Sequence, residues 1–89
     1  MEFNHAEIVV KSKINLNSYY LFNDRIVAYK DNENYTTISL PNRNDMICFY
    51  DMYYATDGLR IIIATRNNYD LIAILDEDNL TISIINYTK

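Results

Sequence analysis

An all-β fold, an antiparallel meander of short strands, is predicted by three features of the sequence. Turn-forming clusters recur about every ten residues, and the segments between them are rich in Ile, Val, Tyr and Thr. No segment carries an apolar stripe at helical spacing long enough for a confident helix. An imperfect internal repeat of about 34 residues, three strands per unit, then organises those segments.

The turn clusters are Asp31-Asn32-Glu33-Asn34, Pro41-Asn42-Arg43-Asn44-Asp45, Thr56-Asp57-Gly58, Arg66-Asn67-Asn68 and Asp76-Glu77-Asp78-Asn79. They bound eight predicted strands at 6–13, 15–22, 25–30, 35–40, 46–54, 59–65, 69–75 and 80–87. Gly58 is the single glycine and Pro41 the single proline. Asn and Asp must therefore fill most turn positions that need a left-handed backbone. Leu59-Arg60-Ile61-Ile62-Ile63-Ala64 and Leu71-Ile72-Ala73-Ile74-Leu75 are apolar on both faces, which predicts the central hairpin of the structure.

The repeat appears when residues 19–45 are laid over 53–79. Tyr19-Tyr20 falls on Tyr53-Tyr54, Arg25-Ile26 on Arg60-Ile61 after a one-residue slip, and Tyr35 and Ile38 on Tyr69 and Ile72. At the same offset Ile14 and Leu16 fall on Cys48 and Tyr50, then on Ile82 and Ile84, the opening strand of a third unit. Such a duplication suggests a barrel-like closed or curled meander, or two propeller-like blades that need further chains to close a ring.

The 89 residues suffice for one domain. Twelve Asp and Glu outweigh eight Lys and Arg, giving a formal net charge of −4. A nucleic-acid binder of this size would carry a basic face, so direct nucleic-acid binding is not expected. A lone Cys48 excludes an internal disulfide and a cysteine-based zinc knuckle. Its setting in Met46-Ile47-Cys48-Phe49-Tyr50 predicts a buried structural thiol. The Met1 start is polar, without the apolar core of a signal peptide, and no apolar run approaches a membrane span. A soluble, cytoplasmic protein with no membrane partner is expected.

No catalytic or cofactor motif is present, and the sole histidine, His5, lies near the terminus. The expectation is a non-enzymatic protein without cofactor or metal. The acids of 76–79 are consecutive and lack the alternation and central glycine of a calcium loop, so they read as a charged hairpin tip in solvent.

Nine tyrosines are a rich supply for this length. In each tyrosine pair, strand alternation turns one ring to the core and the other to the opposite face. The outward rings either cover a thin sheet or form a recognition surface, since a tyrosine offers rigid area and a polar tip. Arg25 and Arg60 each open a strand after a turn, placed to pair with Asp24 and Asp57 or to grip a carboxylate or phosphate.

These features lead to two expectations. One is a protein-binding module, such as an acidic inhibitor or immunity-type antagonist of a basic protein. Tyr53, Tyr54, Asp57, Asp76, Glu77 and Asp78 would form its face, and the acidic turn would steer association. The other is an oligomeric small-ligand or carbohydrate-binding protein with one site per repeat, built on Arg25, Arg60 and the tyrosine pairs.

Overall fold

The computed structural model describes residues 6–30 and 34–88, the side chains of 86–88 excepted. His5, the turn residues Asp31, Asn32 and Glu33, and the side chain of Tyr87 lie outside the described residues. Eight strands follow one another: β1 (Ile8–Lys11), β2 (Ser18–Leu21), β3 (Arg25–Lys30), β4 (Asn34–Ser39), β5 (Met46–Ala55), β6 (Gly58–Thr65), β7 (Asp70–Asp76) and β8 (Thr81–Thr88). They form two antiparallel sheets of four strands, ordered β1-β2-β3-β4 and β5-β6-β7-β8. Every strand pairs with its neighbour in sequence, so each sheet is a meander.

Both sheets are open, which corrects the expectation of a barrel-like closure. They meet instead through their inner faces, where one cluster of buried side chains takes residues from both. The first sheet supplies Tyr19, Leu21, Ile26, Ala28 and Ile38, and the second supplies Phe49, Met52, Leu59, Ile61, Ile63, Leu71, Ala73 and Leu75. The register explains the selection. Ile8, Leu21, Ile26 and Ile38 stand side by side across the first sheet, as do Tyr54, Leu59, Leu75 and Ile82 across the second. Alternation along each strand sends these rows to the core and their neighbours outward.

The hairpin β6-β7 is central to the second sheet. Its inner side chains are buried, whereas Ile62 and Ile74 on the outer face remain half-exposed. Cys48 shares the outer row of Ala64 and is half-buried, not enclosed in the core as its apolar neighbours suggested. The extra residues of two β-bulges, at Ile47 and Tyr50, turn these large side chains into solvent.

The sequence offset and the sheets divide the chain differently. The offset carries β2-β3-β4 onto β5-β6-β7, whereas the sheet boundary falls between β4 and β5. Ile14 and Leu16, aligned with strand residues at that offset, lie in the loop between β1 and β2.

Candidate functional site

The loop 12–17 owes its shape to two side chains that compete with strand pairing. Ser12 Oγ accepts hydrogen bonds from the backbone N–H groups of Ile14 and Asn15, each at 3.1 Å. Asn15 Oδ1 accepts from the N–H of Asn17 at 2.8 Å. Short hydroxyl and amide side chains that capture nearby backbone in this way replace a ladder with a turn. The Ser12 N–H closes the loop on the carbonyl of Asn17 at 2.9 Å. With its polar groups engaged inward, the loop leaves Ile14 65% and Leu16 75% exposed.

The turn between β7 and β8 is built by a second capture. Asp76 accepts bonds from the N–H groups of Asp78 and Asn79 and from Asn79 Nδ2. These donors, the Asn79 side chain foremost, hold the Asp76 carboxyl below its usual range. Leu80 closes the turn with a left-handed backbone, φ 56°, its N–H bonded to the Asp76 carbonyl at 2.7 Å and its side chain buried in the core. The turn thereby directs Glu77 inward.

Glu77 is only 8% exposed, which corrects its expected place in solvent among the acids of the hairpin tip. Its Oε1 accepts from the hydroxyls of Ser12 at 2.6 Å, Tyr19 at 2.9 Å and Tyr54 at 3.0 Å. Its Oε2 lies 2.9 Å from the Tyr54 hydroxyl. Asn17 Nδ2 donates to the Tyr19 hydroxyl, and the Lys13 N–H donates to that of Tyr54. Burial is the main cause that pushes the Tyr19 hydroxyl up to about 12, with the bond to Glu77 and its charge adding to the rise. A phenol held so firmly in its neutral form is a hydrogen-bond donor and not a base. Among the described residues no buried side-chain nitrogen or oxygen lacks a partner.

The tyrosine pairs split as alternation requires: Tyr19 and Tyr54 face inward, Tyr20 and Tyr53 outward. Tyr54 is therefore a supporting residue whose hydroxyl is engaged by Glu77 and Lys13. The Lys13 ammonium sits 4.9 Å from the centre of its ring. Tyr53 stands opposite Arg60. Arg60 grips Asp57 through two bonds of 3.0 Å, and that contact holds the Asp57 carboxyl below its usual range.

The meander gathers these parts. Running β5 up and β6 down places the turn at Thr56-Asp57 and the turn at 77–80 at one end of the second sheet. The bonds from Ser12 and Lys13 bring loop 12–17 to the same end. Ile14, Leu16, Asp57, Arg60, Asp76 and Asp78 thus lie around one end of the molecule. Arg25 lies at the other, beside Asn23, whose carbonyl accepts from the Phe49 N–H at 2.8 Å. Its guanidinium bonds Asp24 at 2.9 Å and stacks 4.3 Å over Phe22, a setting unlike that of Arg60. Both arginines therefore pair with an acid of the preceding turn, but the fold does not bring them together.

Ile14 and Leu16 were missing from the sequence-based site. Their alternation with Lys13 and Asn15 reads as strand, and only the Ser12 and Asn15 captures mark the segment as a loop. Among the described residues no group of three or more His, Cys, Asp or Glu is disposed to hold a metal ion. No helix in the described residues is long and apolar enough to cross a membrane. No protein-family model matches the chain, and comparison with curated proteins and with solved structures gives no match.

Proposed function

We propose that this chain is a non-enzymatic protein-binding module, an inhibitor or immunity-type antagonist of a basic partner, and that it binds through the end formed by loop 12–17 and the turns at 56–57 and 77–80. The observation that carries the reading is the exposure of Ile14 and Leu16 on a loop whose backbone is tied down by Ser12, Asn15 and Tyr54. Two large aliphatic side chains presented on a rigid loop cost less ordering on binding than the same side chains on a flexible one. Carboxylates at Asp57, Asp76 and Asp78 lie at the same end of the molecule, so the complementary surface is an apolar pocket with basic groups beside it. Glu77 contributes by fixing the loop, not by touching the partner.

The test is capture of basic proteins on the immobilised chain and on the double variant Ile14→Ser/Leu16→Ser. The reading expects a protein that the parent chain retains and the double variant loses, with circular dichroism unchanged. It also expects that partner's association rate to fall with added salt and with Asp78→Lys. Equal retention by both chains, or retention by neither, overturns it.

A further inference from the structure

The four sheet edges are not alike. β1 has four residues, including Lys11, and lies beside β5; β5 carries Asp51 and two register shifts. Short length, charge and bulges are the usual protections of an edge against pairing. β4 and β8 have none of the charge: Asn34–Ser39 reads NYTTIS and Thr81–Thr88 reads TISIINYT. Twenty of the 89 residues are charged, yet none falls in these two strands.

The core separates the two. On β4 the one aliphatic side chain, the inward-facing Ile38, is 8% exposed and so already spent on the core. On β8 the equivalent position is open. Ile84 pairs with the fully buried Ala73 and therefore faces the core side, yet it is 40% exposed. Ile85, the extra residue where the register shifts between Ile72 and Ala73, is 45% exposed beside it. Among the described residues no strand lies on the outer side of β8.

We propose that the outer edge of β8 is a self-association site, at which β8 of a second copy pairs antiparallel about a two-fold axis to join two four-stranded sheets into one of eight. β8 of a second copy suits that edge, being itself an uncharged strand with apolar side chains at its middle. Two-fold antiparallel pairing sets Ile84 and Ile85 of one copy near those of the other and satisfies the open backbone groups of both. Each chain carries −4, and this strand is one along which two copies meet without apposing carboxylates. The surface is separate from the loop end proposed for partner binding.

Molar mass by light scattering after size exclusion, over a dilution series, reads the outcome for the full chain and three variants. The expected result is a mass twice that of one chain, falling to the single-chain value on dilution. Ile85→Lys and, independently, Ser83→Lys hold the single-chain mass throughout, because a lysine on each copy sets like charges across the new ladder. Both positions are exposed, so both variants keep the parent circular dichroism. Thr37→Lys, on the β4 edge, leaves the doubled mass intact. A parent chain of single mass at every concentration overturns the proposal. So does a doubled mass that survives both β8 lysines, or an open-ended series of larger species abolished by Thr37→Lys, which would signal head-to-tail pairing of β4 with β8.

Discussion

The hydroxyl of Ser12 donates to the Glu77 carboxylate at 2.6 Å, joining the first sheet's opening loop to the second sheet's last turn across 65 residues of chain. Tyr19 and Tyr54 donate to the same carboxylate, one from each sheet. A charged acceptor shared by three hydroxyls contributes more than a neutral bond would. Glu77→Ala leaves three donors without an acceptor and is expected to cost about 2–4 kcal/mol in urea unfolding. Glu77→Gln keeps one carbonyl acceptor and costs less than half of that. Equal losses in the two variants would show that the site tolerates any side chain of that shape.

Tyr19 makes stability fall at alkaline pH. Its ordinary value is 10.0 and burial in the fold pushes it up to about 12. Between those values the unfolded chain has released the proton and the folded chain has not, so stability falls as pH rises. The contribution is fully present below pH 10 and is lost as pH passes through about 12. The loss amounts to about 2–3 kcal/mol by the usual conversion. Urea midpoints measured across this window for the parent and for Tyr19→Phe isolate it, because the two chains differ only in this hydroxyl. A parent curve parallel to that of Tyr19→Phe would contradict the assignment.

Leu80 pairs a strained backbone with a buried side chain, φ 56° in the left-handed region. Leu80→Ala keeps the strain and loses the burial, for an expected cost of about 2–4 kcal/mol. Leu80→Gly loses the same burial but removes the strain, and should be the more stable of the two by about 1 kcal/mol. Gly is the worse residue in an ordinary strand, so this reversed order in thermal unfolding is diagnostic of the turn.

Gly58 is confined by backbone and by space together. Its φ is +131°, and a Cβ there would sit 3.3 Å from Ile74 Cδ1. Gly58→Ala is expected to destabilise by about 1–3 kcal/mol. Gly58→Ala with Ile74→Val relieves only the contact, so most of the cost should persist in the double variant.

The strands were legible because alternation and turn chemistry agree over most of the chain. From β3 to β8 the predicted bounds differ from the observed ones by a residue or so, and the two open sheets replace only the way they were expected to close. The error at 12–17 has a local cause: Lys13-Ile14-Asn15-Leu16 alternates like a strand, while Ser12 and Asn15 spend their side chains on the backbone. The error at Glu77 has a distant one. Four acidic or amide residues in a row look solvated, and the hydroxyls that receive Glu77 lie 23, 58 and 65 residues away. Nothing within the turn's own sequence announces them.

Because each strand pairs only with its sequence neighbour, the two sheets can form early and separately, with little loop-closure entropy to overcome. The Ser12–Glu77 contact joins residues 65 apart in the 89-residue chain and is available only after both sheets have docked. It therefore belongs to the late, downhill side of the folding barrier, where a lost interaction speeds unfolding and leaves refolding unchanged. In stopped-flow measurements Glu77→Gln should raise the unfolding limb of the chevron and leave the refolding limb where it was. The buried carboxylate acts as a latch on the lifetime of the folded molecule, and so on how long loop 12–17 keeps its shape between openings.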